Sequence, residues 1–98
     1  MSYRFGPLAR LELLEAGQRY LAEGGPVVAE QFESAVERAL QLLQFMPQLG
    51  SASYPGVRTW PLKKFPYTLA YRVEDPMISV IAVAHQSREP GYWQGQGR

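Results

Sequence analysis

The chain has 98 residues, no cysteine, a single histidine (His85) and a net charge of +1. This length gives one domain, 1–98, and excludes disulfides, thiolate zinc sites and multi-histidine metal sites. A hydrophobic fraction of 46% is too high for a disordered chain. No apolar run is long enough for a transmembrane helix, and MSYRFGPLAR has no signal-peptide pattern, so a cytoplasmic location is expected.

In chain order, Ser2 to Phe5 is a candidate short first strand. Gly6-Pro7 is a helix start, with glycine an acceptable cap and proline suited to the first helical position. Leu8, Leu11, Leu14 and Tyr20 give the apolar spacing of a first helix, and Gly24-Gly25 stops it. Gly25-Pro26 repeats the start signal. Val28, Phe32, Ala35, Val36, Ala39, Leu40, Leu43 and Met46 then follow at intervals of three and four, and Pro47 ends this second helix. Two helices joined by Gly-Gly predict an antiparallel hairpin.

After Gly50 the texture changes to strands. Pro55-Gly56 is a turn, and Val57 to Leu62 is a weaker strand that Pro61 places at an edge or bulge. Phe65, Tyr67, Leu69, Tyr71 and Val73 alternate with less apolar residues, as in a strand with one buried face. Glu74-Asp75-Pro76 turns the chain. Met77 to Ala84 is nearly continuous apolar, which predicts a strand covered on both faces. Gln94 to Arg98 is polar and glycine-rich and is expected to fray. The predicted class is α+β: a helical hairpin packed on one face of a small twisted antiparallel β-sheet, in the order β-α-α-β-β-β.

Charge is unevenly spread. Residues 1–50 carry six acidic and four basic groups, and residues 51–98 carry three acidic and six basic ones. A basic second half suits an anion or an acidic partner, although an ordinary solvated surface has the same pattern. Phosphate-loop and nucleophile-elbow motifs are absent. Glu12 and Glu15 share a helical face, but helical carboxylates are mostly solvated. His85 closes the buried strand, as a proton donor or acceptor or as a hydrogen-bonded strand end. Beyond it, Arg88, Tyr92 and Trp93 follow closely, while Arg58, Lys63, Lys64 and Arg72 lie on the two preceding strands or their turn. Cations interleaved with aromatic rings suit phosphate contact and base stacking. The same residues also suit rings packed back onto the sheet with the cations left in water.

Three stretches carry a family resemblance: Lys64 to Glu74 (KFPYTLAYRVE), Val83 to Trp93 (VAHQSREPGYW), and the helix ending Ala39 to Gly50 (ALQLLQFMPQLG). With them, and over nearly its whole length, the chain resembles the RelE/ParE superfamily of toxins from type II toxin–antitoxin modules, also called plasmid stabilisation proteins. The resemblance implies a bacterial growth-arresting toxin neutralised by a cognate antitoxin. It implies no metal and no other cofactor, no membrane partner, and operator DNA met only through the antitoxin. RelE-like members cut messenger RNA on the ribosome, using the RNA's own 2′-hydroxyl, strand cations and a C-terminal arginine and tyrosine. ParE-like members inhibit DNA gyrase and lack that set.

Matched to the RelE-like pattern, Tyr92 stands at the tyrosine position, but Thr68 and Gln86 stand where arginines are expected. The preceding lysine positions fall near Thr59 and Pro61, and a small gap would bring in Arg58, Lys63 or Lys64. Neither Thr68 nor Gln86 supplies a permanent positive charge for a phosphorane transition state. The resulting expectation is a ParE-like, non-enzymatic inhibitor of gyrase. Arg58, Lys63, Lys64, Arg72, Arg88, Tyr92 and Trp93 are its candidate target- or antitoxin-binding residues. The alternative is a metal-independent, ribosome-dependent endoribonuclease using His85, Arg88, Tyr92, Arg58, Lys63, Lys64 and Arg72. A third reading is an inactive relative that binds only its antitoxin, for operon autoregulation. In each reading the antitoxin is received on the hairpin and on an exposed sheet edge, and it is acidic where it meets the basic second half.

Overall fold

The computed structural model describes residues 2–94; beyond Gln94, the tail expected to fray lies outside them. The elements are β1 (Ser2–Phe5), α1 (Pro7–Phe45), β2 (Ser51–Tyr54), β3 (Val57–Pro61), β4 (Tyr67–Glu74) and β5 (Met77–His85). The class is α+β, with a helical layer on one face of a five-stranded sheet of order β1-β5-β4-β3-β2.

α1 begins as its first residues dictate, with Gly6 as N-cap and Pro7 in the first turn. It breaks at Gly25, whose φ of 83° and ψ of 179° are not helical. That region of backbone space belongs almost entirely to glycine. The break folds the chain back into two arms, 7–24 and 26–45. Tyr20 and Phe32 have ring centroids 5.1 Å apart, whereas twelve residues of straight helix would separate them by about 18 Å. Phe45 is the last helical residue, two before Pro47.

The sheet differs from the expected antiparallel one in two ways. β1 pairs in parallel with β5, from Ser2 opposite Met77 to Phe5 opposite Val80, so the sheet is mixed. The intervening hairpin and β2–β4 carry the chain across the sheet between these two strands, which lets them run the same way. Ser51–Tyr54 also forms a strand, β2, which pairs antiparallel with β3. β3 is therefore not the outermost strand. Pro61 nevertheless occupies an edge locally, because β2 pairs no further along β3 than Thr59.

β4 and β5 lie at the centre. Leu69 and Tyr71 on β4, and Ile78, Val80 and Val83 on β5, pack under Phe32, Val36, Leu40 and Leu43 of the second arm. A bulge leaves Ile81 without a partner between the pairs Ala70–Ala82 and Tyr71–Val80. Ile81 joins Ala70, Ala82 and Ala84 in a second cluster with Val57 and Trp93. β5 is thus buried throughout its interior, in keeping with its unbroken apolar sequence.

Candidate functional site

The residues that stood out in the sequence after His85 form a strap. It advances by successive turns: Gln86 N–H donates to Pro66 O (2.8 Å), Arg88 N–H to His85 O (3.0 Å), Tyr92 N–H to Glu89 O (3.3 Å) and Gln94 N–H to Gly91 O (3.0 Å). Gly91 has a φ of +80°, and a side chain there would collide with the Tyr54 hydroxyl. The strap thereby lays Trp93 into the second apolar cluster, 6% exposed, with its ring edge-on to Tyr54 at 5.9 Å. Trp93 is a wall of the core and has no open face for a base to stack on.

Glu12, from the first arm, holds this strap to the sheet. β1 ends opposite Val80, so Val83, farther along β5, has no strand neighbour on that side. Glu12 Oε1 takes the place of a strand carbonyl and accepts Val83 N–H at 2.9 Å. Its Oε2 accepts a hydrogen bond from the Tyr92 hydroxyl. The Arg88 guanidinium covers the Tyr92 ring, 3.9 Å from its centroid. Burial pushes the Tyr92 phenol well above its ordinary range. The bond to Glu12 and the carboxylate's charge push the same way, and Arg88 partly offsets them. Such a phenol stays protonated and is a weak proton donor at neutral pH. The general expectation of a solvated helical carboxylate fails for Glu12. Its signal was its place on α1 between Leu8, Ala9 and Ala16, at the margin of the buried face.

A cavity of about 210 Å³ opens beside this contact, lined in part by Glu12, Glu15, Arg19, Tyr67, His85 and Arg88. His85 meets the edge of the Tyr67 ring at 5.1 Å. Its Nδ1 accepts Ser87 N–H at 3.1 Å and lies 2.7 Å from Ser87 Oγ. The neutral ring therefore carries its proton on Nε2.

His85, Arg88 and Tyr92 come together here, whereas the other candidate cations are not among the cavity's lining residues. Arg58 Nη1 donates to Gly50 O at 2.7 Å and Gln48 O at 3.2 Å, bracing the loop between α1 and β2. Tyr71 supports the same loop, accepting Gly50 N–H and donating to Pro47 O, both at 2.9 Å. Arg72 is half-buried, with its guanidinium beside Gly56 in the β2–β3 turn and its Nε unbonded. Lys63 and Lys64 are exposed in the loop between β3 and β4. Thr68 faces Pro61 and Ala84 across its two neighbouring strands, and Gln86 is exposed. Among the described residues, no three histidine or acidic side chains are grouped to hold a metal, and no helix is long and apolar enough to cross a membrane.

Comparison with known proteins places this geometry. The family model described as the ParE toxin of the type II toxin–antitoxin system, parDE, matches residues 3–90. Among solved structures, a chain of the chromosomal ParDE TA system from P. aeruginosa aligns with a TM-score of 0.74 and 24% sequence identity. The alignment covers 87% of this chain and 95% of that one, a likeness of fold. No curated protein matches the sequence.

Proposed function

Because the chain belongs to the ParE toxin family of type II toxin–antitoxin systems, we propose that it arrests growth by binding an essential protein, DNA gyrase, and that a cognate antitoxin neutralises it. The observation that carries the binding mode is the occupation of Tyr92. Its hydroxyl is bonded to a carboxylate, and Glu12 and Glu15 line the adjacent cavity. A phosphodiester entering there would meet the carboxylates of Glu12 and Glu15 as well as Arg19 and Arg88, while the strand cations are elsewhere: Arg58 is bonded to backbone carbonyls. Electrostatic stabilisation of a phosphorane needs an excess of cations fixed around the reacting atom, and here the two arginines that line the cavity are matched by two carboxylates. The exposed Lys63, Lys64 and Arg88 are the contacts proposed for the target, since exposed cations steer association with an acidic surface. The test is a supercoiling assay with purified gyrase and purified toxin. Inhibition is expected, and unaffected gyrase alongside cleavage of ribosome-bound messenger RNA would sink the reading.

One observation favours the second reading, an endoribonuclease: His85 and Arg88 border one cavity, and Arg88 stacks on Tyr92. That reading requires His85→Ala and Tyr92→Phe each to abolish growth arrest in a protein that still folds. The binding reading expects His85→Ala to remain toxic.

A further inference from the structure

The first arm of α1 carries two apolar rows on opposite sides. Ala9, Leu13, Ala16 and Tyr20 face the sheet and belong to the core or pack against it. Leu11, Leu14 and Leu21 face away from it and are 52%, 57% and 51% exposed. Gln18, also exposed, fills the gap in their row. Positions 11, 14, 18 and 21 follow at intervals of three, four and three, the a/d repeat of a coiled-coil seam. A single exposed leucine is ordinary. A contiguous row of them in heptad register marks a surface that packs against another helix.

The residues flanking the row say which helix. With Leu11 at a and Leu14 at d, Arg10 falls at g and Glu15 at the following e. In a parallel pair of helices, g of one chain meets that e of the other. Two copies of this arm in register therefore set Arg10 against Glu15 twice, once on each side of the two-fold axis. Both residues are exposed, and the ion pair found among the described residues, Arg4 with Glu74, involves neither. The antiparallel arrangement that matches the leucines, Leu11 opposite Leu21, brings the two Glu15 side chains together instead, and like charges disfavour it. Gln18 favours the same parallel register, because two side-chain amides facing across the axis bond each other. Gly17 lies at the next g position, inside the helix, where glycine is less favourable than alanine. A Cβ there would meet nothing within 4 Å. Packing inside one chain therefore does not require this glycine, whereas a helix closing on the seam from outside gains room from it.

We propose that this face binds a second copy of the chain, giving a two-fold dimer through a short parallel seam of the two first arms. Leu11, Leu14 and Leu21 form its apolar layers, Gln18 its polar layer, and reciprocal Arg10–Glu15 pairs its flanks. The dimer goes beyond the toxin reading and does not rest on it.

Sedimentation equilibrium of the purified full chain, from micromolar to near-millimolar concentration, tests this. A monomer–dimer equilibrium is expected. Leu14→Glu should weaken it at least about tenfold, since a charge would then be buried in the seam. Its melting curve should match the wild type at a concentration where both are monomeric. Phe45→Glu, at an 84% exposed position on the second arm, should leave the dimer intact. Arg10→Glu and Glu15→Arg should each weaken it, and the two together should restore it. Because the chain has no cysteine, Leu11→Cys reports the orientation. In the parallel seam an added oxidant links the two thiols across the axis, whereas the antiparallel arrangement holds them about 15 Å apart along it. A chain that stays monomeric at every concentration would overturn the proposal and leave the row to a different protein. A dimer that survives Leu14→Glu, or that Phe45→Glu dissociates, would place the contact elsewhere and overturn it too. Failure of the charge exchange to restore association, or of Leu11→Cys to link, would refute the parallel seam.

Discussion

Replacing Glu12 by alanine removes the two hydrogen bonds that tie the first arm, β5 and the strap together. Each involves a carboxylate, and such bonds contribute about 1.5–3 kcal/mol. Both are only partly buried, so the lower figure applies and the pair contributes about 3 kcal/mol. For a domain of this size that loss lowers Tm by on the order of 15 °C. Tyr92→Phe removes one bond and should cost about 1.5 kcal/mol. The stronger test is the double mutant. Once Glu12 is gone, the Tyr92 hydroxyl has lost its partner, so adding Tyr92→Phe should cost almost nothing, a coupling of about 1.5 kcal/mol. Urea denaturation followed by circular dichroism measures all three variants. Additivity within about 0.5 kcal/mol would refute the idea that one carboxylate fastens the strap. So would an equal loss in the neighbouring Glu15→Ala, which should lie within about 0.5 kcal/mol of wild type.

The remaining expectations concern the backbone, the core and the response to alkali. Gly25→Ala places a Cβ where nothing lies within 4 Å, so only the backbone resists; a loss of about 1–3 kcal/mol is expected in a melting experiment, and an unchanged Tm would remove the hinge role assigned to that glycine. Trp93→Ala should cost about 3–5 kcal/mol because the ring is buried, whereas a solvent-facing stacking residue would leave stability unchanged. Burial raises the phenols of Tyr20, Tyr71 and Tyr92 above their ordinary value of 10.0. The folded chain therefore binds more protons than the unfolded one at high pH, so these groups contribute their full stability below about pH 10 and lose it as the pH rises further. Stability measured against pH should fall less steeply on the alkaline side in Tyr92→Phe, and an identical slope would contradict the assignment.

Where local periodicity and punctuation settle the outcome, the sequence alone determined it. Gly6-Pro7, Gly25-Pro26 and Pro47 are covalent constraints on the backbone, and they bound the two helical arms wherever those arms pack. The unbroken run from Met77 to Ala84 also reported burial on two faces. The alternation from Phe65 to Val73 reported only one of the buried faces of β4, because Ala70 on the other is covered by the second cluster. β2 escaped detection because Ser51–Tyr54 is a four-residue strand, exposed or half-buried, whose partner supplies its ladder. The parallel pairing of β1 with β5 joins residues some seventy-five positions apart, which no local pattern records. The same holds for the site. The residue types after His85 were legible, but their roles were decided by non-local contacts. Arg58 was drawn into a loop by the carbonyls of Gln48 and Gly50, and Trp93 was seated beside Tyr54. Glu12 became a fastening because β1 is too short to cover Val83, and that vacancy exists only once the sheet has formed.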